Sequence, residues 1–236
     1  MTTTGTPSDV RRAVLHRRIR LIVAATIGYN VIEAIVAITA GSITSSVALI
    51  GFGLDSTIEV LSAAAVAWQF TRRDPERWER STLRGSAVAF FALAAYVTVS
   101  SLLALAGAVE PEGSRVGLIL TAVSVAVMPV LSLAERRAGR ELGSATAVAD
   151  SKQTLICAVL SAAVLVGLLL NSLFGWWWAD PIAGLVIVVF AIREGIEAWK
   201  GDACATSVGM VLEGEPRDEH SHHEHDHDEH EATGHK

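Results

Sequence analysis

The sequence predicts an all-α membrane protein: a bundle of six transmembrane helices with both termini on the cytoplasmic side. Three observations carry that expectation. Of 236 residues, 51% are apolar and only 19% charged, where a soluble domain has about a quarter charged, and the mean hydropathy is +0.41. Six segments each supply the roughly 20 largely apolar residues that cross about 30 Å of hydrocarbon. Lys and Arg gather in alternate connections, which orients the bundle.

The first span, about Leu21 to Ala40, follows the basic cluster Arg11, Arg12, Arg17, Arg18 and Arg20. It is too long for a cleaved leader and contains Asn30 and Glu33, so it reads as a retained helix after a cytoplasmic segment 1–16. The second runs from Val47 to Phe70, the third from Gly85 to Ala108 and the fourth from Val116 to Ala134. Pro129 lies within the fourth and removes one backbone hydrogen bond, giving either a kink or a tolerated membrane proline. The fifth is Ala145 to Leu170, and the sixth is Ala179 to Trp199, where Asp180 before Pro181 reads as an N-cap followed by a first-turn proline. The connection with Arg72, Arg73, Arg77, Arg80 and Arg84, the one with Arg136, Arg137 and Arg140, and the end at Lys200 join the N-terminus on the cytoplasmic side. The other three connections hold only Arg115, and Trp176, Trp177 and Trp178 mark the outer interface.

The body 17–200 is followed by a different composition at 201–236, which holds ten acids against Arg217 and Lys236. Residues 215–236 interleave acids with His220, His222, His223, His225, His227, His230 and His235. Without apolar residues to build a core, this segment reads as disordered when free. Its imidazoles and carboxylates suit borderline divalent metals, so it reads as an accessory metal-binding tail. No basic patch is present for a nucleic acid. Apart from His16, every histidine lies in the tail, which removes the His-based machinery of a membrane-embedded hydrolase and argues against an enzyme.

Carboxylates at membrane depth are costly unless paired, protonated or metal-bound, so each is a functional candidate. Asp55 and Glu59 on helix two are four apart and share a face, giving two oxygen donors with no Lys or Arg between them: half of a divalent-cation site. The competing reading has them hydrogen-bond to Asn30, Ser56 or Thr57 and hold helices together. On helix five, Asp150, Thr154 and Cys157 also share a face. Cys157 is either a metal ligand or a small packing residue, and Thr154 either a ligand or a hydroxyl bonded to its own helix. Asn30 and Glu33, three apart on helix one, either orient the acids and relay a proton or make a structural interhelical bond. Lys152 is read as snorkelling to the interface, and Arg193, Glu194 and Glu197 as solvated headgroup-level charges.

The stretch Gly41-Ser42-Ile43, the run Gly53-Leu54-Asp55-Ser56-Thr57-Ile58-Glu59, the run Ala149-Asp150-Ser151-Lys152-Gln153-Thr154 and then Ala179-Asp180-Pro181 together resemble the transmembrane domain of the cation diffusion facilitators. The resemblance covers about residues 15 to 200 and implies six helices with both ends cytoplasmic. It also implies export of zinc or a related divalent cation in exchange for protons, from a site made by a pair of residues on helix two and another on helix five. By that resemblance Asp55 and Glu59 fill the helix-two pair and Asp150 the first helix-five position. Thr154 stands where a second helix-five acid belongs, with Cys157 one turn on to replace it. Glu59 stands in place of the more usual Asp, and the 36 residues after Lys200 leave no room for the family's cytoplasmic domain.

The resulting expectation is a zinc/proton antiporter with metal ligands Asp55, Glu59, Asp150 and Cys157, in a bacterial plasma (inner) membrane. Co2+, Fe2+, Mn2+ and Ni2+ are the other candidate ions, and no organic cofactor is expected. Its partners are the metal ion, protons and the lipid bilayer, and the small residues Gly51, Gly53 and Ala63 to Ala65 permit a homodimer. The alternative is a zinc sensor or buffer on the same scaffold that binds metal without moving it.

Overall fold

The computed structural model describes residues 9–70, 75–142 and 145–200, and leaves out the side chains at 9–13, 16, 66–70, 75–79, 142, 145–147, 149 and 150. Among the described residues there are six helices and no strand: α1 (Asp9–Thr44), α2 (Val47–Phe70), α3 (Pro75–Leu105), α4 (Arg115–Leu142), α5 (Ala145–Phe174) and α6 (Ala179–Lys200). An α-helix satisfies its own backbone, which is what hydrocarbon demands of any segment that crosses it. Five of the six are long and apolar enough to span a membrane. The sixth, α6, has 22 residues, and its charges Asp180, Arg193, Glu194, Glu197 and Lys200 keep it short of that standard.

The helix ends follow local chemistry. Ser46 caps α2, its Oγ accepting the Leu49 N–H at 3.1 Å, and Ser114 caps α4 by accepting the Gly117 N–H at 3.1 Å. Gly175, with φ of 67°, ends α5: its N–H reaches the Asn171 carbonyl at 2.9 Å and the Trp176 N–H reaches Leu170 at 3.4 Å. That pair of bonds closes a helix around a left-handed glycine. α4 runs on through Pro129, and α1 begins at Asp9, well before the apolar run at Leu21.

Neighbouring helices close a ring in the order α1, α2, α3, α6, α5, α4 and back to α1, and α2 also touches α6 and α5 across it. α2 is therefore the central element. Its Phe52, Leu49 and Ala48 pack with Ala37 of α1, Val97 of α3, Val164 and Leu168 of α5 and Ile187 of α6 in one apolar cluster. The α1 contact is close because of Gly53: a Cβ there would lie 2.9 Å from both the Ile38 nitrogen and the Ala37 Cβ. A Cβ at Gly51 would lie 3.0 Å from Val97 on the α3 side. Gly51 and Gly53 thus permit close helix contact inside this chain. A smaller cluster of Leu15, Ile19 and Val23 with Ala63 and Ala138 joins the far ends of α1, α2 and α4.

The bundle's surface is apolar where its interior is polar. Leu21, Ile32, Ile35, Leu61, Ile119, Leu133, Val166 and Val189 are exposed, whereas Asn30, Glu33, Asp55, Thr121, Ser124, Thr154 and Asp180 are buried. This inversion suits a hydrocarbon solvent, in which apolar burial drives little and inward polar groups join the helices.

Asp180 corrects one sequence reading. It lies one residue inside α6, so it does not cap its own helix. Its carboxylate turns to the N-terminus of α2, where Oδ2 accepts the Val47 N–H at 2.8 Å and the Ala48 N–H at 3.3 Å and Oδ1 accepts the Ser46 hydroxyl. The first N–H groups of any helix lack internal partners, and the partial positive charge there favours an anion. A fully buried carboxylate thereby ties α6 to the start of α2. Asp180→Ala leaves the Ser46 hydroxyl and two buried N–H groups without their acceptor, and is expected to cost about 2 kcal/mol. A lowered Tm of the detergent-purified protein, with Asp180→Asn falling between it and wild type, checks this.

Candidate metal site

The α2 acids sit in mid-helix, Asp55 about 12 Å and Glu59 about 18 Å along the axis from Val47 at 1.5 Å per residue. Asp55 is buried and Glu59 half-buried. Three helices meet at Glu59. Asn30 Nδ2 of α1 donates to Oε2 at 2.8 Å, while the Cys157 thiol at 2.7 Å and Gln153 Nε2 at 3.4 Å, both from α5, donate to Oε1. Among the described residues no hydrogen bond reaches the Asp55 carboxylate, although it lies one turn from Glu59 on the same helical face.

Glu33 has a separate environment. It is 1% exposed and accepts Ser56 Oγ of α2 at 2.8 Å on Oε2 and Ser124 Oγ of α4 on Oε1. The Tyr29 hydroxyl lies 2.7 Å from Ser124 Oγ, extending the network along α1. Glu33 therefore joins α1, α2 and α4, while Asn30, three residues earlier, is the α1 side chain that reaches the α2 pair. Of the hydroxyls read as partners of that pair, Ser56 bonds to Glu33, and Thr57 donates at 2.8 Å to the Gly53 carbonyl of its own helix.

On α5, Thr154 and Cys157 are both buried and face inward. The Cys157 carbonyl accepts Ser161 Oγ at 2.8 Å, and the thiol is free of any disulfide. Asp150 lies on α5, but its side chain is outside the described residues, as are Cys204 and the tail histidines His220, His222, His223, His225, His227, His230 and His235. Among the described residues no three His, Cys, Asp or Glu side chains are gathered as a metal group. What the structure brings together is Glu59, Cys157, Asn30 and Gln153, with Asp55 one turn away.

Sequence reasoning missed Gln153 and misplaced Glu194. Gln153 follows Asp150 by three and shares its side of α5, the one signal available for it. Glu194 on α6 is half-buried, and among the described residues its Oε1 is buried without a hydrogen-bond partner. Gln153 also interacts with Glu194 and so stands between acids of α2 and α6. Arg193 and Glu197 pair at 3.0 Å on an exposed face, and Lys152 is exposed.

Buried acids on a central membrane helix, approached by neutral donors from two others, are what a passage for cations through hydrocarbon requires. The sequence profile of the cation efflux transmembrane domain matches residues 23–200. The chain belongs to this cation efflux family. This is a family of metal-cation transporters. Among similar proteins, the Rickettsia prowazekii "Protein p34" is 23% identical over 195 residues, covering 78% of this chain and 64% of the relative. The Shewanella oneidensis "Cation-efflux pump FieF" is 33% identical over 104 residues, 44% of this chain and 33% of that one. The Bacillus subtilis "Cadmium, cobalt and zinc/H(+)-K(+) antiporter" is 23% identical over 200 residues, 81% and 61% respectively. The chain spans less than two thirds of the length of each of these relatives.

The Glu33 network makes its own prediction. Glu33→Ala opens a cavity and removes the acceptor that joins the three helices, leaving the Ser56 and Ser124 hydroxyls only the Phe52 and Leu120 carbonyls of their own helices, a loss on the order of 3 kcal/mol. Denaturant unfolding in detergent should show it, with Glu33→Gln retaining part of the stability because its carbonyl oxygen still accepts.

Proposed function

We propose that the protein exports a divalent cation, zinc first among the candidates, in exchange for protons through a mid-membrane site. The carboxylates of Asp55, Glu59 and Asp150 carry the negative charge, and the Cys157 thiol is the fourth ligand. The observation that carries this reading is the Glu59 environment: an acid of the central helix, met by α1 at 2.8 Å and by α5 at 2.7 Å through groups that carry no positive charge. A structural acid pair would be neutralised by Lys or Arg or exhausted by hydroxyls, as Glu33 is.

Charge accounting supports exchange. Two or three carboxylates balance one divalent ion, and on its release they take up protons, so the hydrocarbon never surrounds bare charge. Metal reaches the site from a cavity open to the cytoplasm. Helix rocking then turns the same site outward, in the manner of transporters whose halves move about a fixed midplane site. The Lys/Arg distribution supports cytoplasmic termini, and relatives from Shewanella and Bacillus support a bacterial inner membrane. On that arrangement the tail histidines capture metal at the entrance, with a grip that weakens as imidazoles protonate near pH 6.5. Cysteine sulfur and tail imidazoles favour Zn2+ over harder ions, and the Bacillus relative is named for cadmium, cobalt and zinc.

One observation favours the other reading, a membrane sensor or buffer that binds zinc without moving it: Thr154 in place of an acid on the α5 face. Zinc flux into proteoliposomes under an imposed pH gradient separates the two. Gradient-dependent flux that falls to background in Asp55→Asn, with the variant still inserted and folded, is the expected result. Zinc bound but not moved means a sensor, and undiminished flux in Asp55→Asn removes the site assignment.

A further inference from the structure

Asn30 is the side chain whose two ends disagree. It is 6% exposed, its Nδ2 is held by Glu59 at 2.8 Å, and its Oδ1 is buried with no hydrogen-bond partner among the described residues. Its neighbours on α1 are satisfied: Tyr29 meets Ser124, and Glu33 accepts from Ser56 and Ser124. Buried acceptors are rarely left unpaired, and one beside a candidate cation site asks for a positive partner. We propose that the amide oxygen of Asn30 is a direct ligand of the divalent cation, so that α1 contributes to the site alongside α2 and α5. This rests on the reading of Asp55 and Glu59 as the cation's carboxylates.

The chemistry follows from the amide's two faces. An amide presents N–H on one side and a carbonyl oxygen of nearly the same shape on the other. In the present arrangement Asn30 offers N–H to Glu59, and a cation arriving at that carboxylate repels the N–H. A turn of about 180° about the terminal torsion, which has two similar wells, exchanges nitrogen for oxygen. Two oxygens then face each other, an arrangement that is repulsive unless a cation lies between them. Asn30 thus hydrogen-bonds Glu59 without the ion and ligates the ion with it. As a neutral oxygen donor it raises the coordination number without adding charge.

Substituting a thiol at this position reports direct contact. In the full chain carrying Cys204→Ser, which keeps Cys157 as a ligand, Asn30→Cys should enlarge the ultraviolet thiolate-to-Cd2+ charge-transfer band on addition of Cd2+ beyond the single-thiolate band of its parent. Adding Asp55→Asn should abolish the band. Cd2+ binding that still depends on Asp55 but leaves the band at its single-thiolate size overturns the proposal, because Asn30 then only positions Glu59. Should Asn30→Cys fail to fold, the isosteric Asn30→Asp decides. A ligand position makes Cd2+ binding about tenfold tighter by adding ligand charge, whereas a positioning residue makes it weaker by losing the N–H to Glu59. Absence of Asp55-dependent Cd2+ binding in the Cys204→Ser parent overturns the underlying site reading as well, and that result is read before residue 30 is changed.

Discussion

Hydrocarbon offers no hydrogen-bond partner, so every acid this chain carries into the bundle must find its partners within the protein. The structure meets that constraint in three different ways for Asp180, Glu33 and Glu59. Asp180 takes two backbone N–H groups and a serine hydroxyl at the start of α2. Glu33 takes two hydroxyls and joins three helices with them. Glu59 takes two amides and a thiol, groups that can be displaced or turned over without leaving a buried charge. The first two environments are complete and hold the fold, whereas the third can be exchanged for a metal.

That difference explains the place of α2. It contacts α1, α3, α5 and α6, and glycine rather than bulk lets α1 and α3 approach it. Its N-terminus is fixed by α6, and its middle is held by side chains from α1 and α5. Motion of any of these helices relative to α2 changes the surroundings of Asp55 and Glu59. A cation site on the central helix is therefore coupled to the whole bundle by packing alone.

The fold was largely legible because hydropathy and helical periodicity are local properties, and six apolar runs between charged connections leave little choice of architecture. The same locality placed Asp55 and Glu59 on one face and Cys157 with Thr154 on another. What stayed hidden depends on which helices become neighbours. Asp180 looked like the cap of the helix it begins, since nothing local distinguishes a carboxylate that caps its own helix from one that caps a helix 133 residues earlier. Glu194 looked solvated because Arg193 and Glu197 beside it are, but the helical turn sends it inward towards α2. Gln153 carried no signal of its own, its role being set by Glu59, 94 residues away.

The Asp180 contact also has a bearing on how the molecule is made. Ser46 leaves the ribosome 134 residues before Asp180 does. The second helix therefore enters the bilayer with the N–H groups of its first turn still waiting for their acceptor, which only the last helix supplies. Until then the early helices form an open assembly, and arrival of the sixth closes both the ring and the start of the helix at its centre.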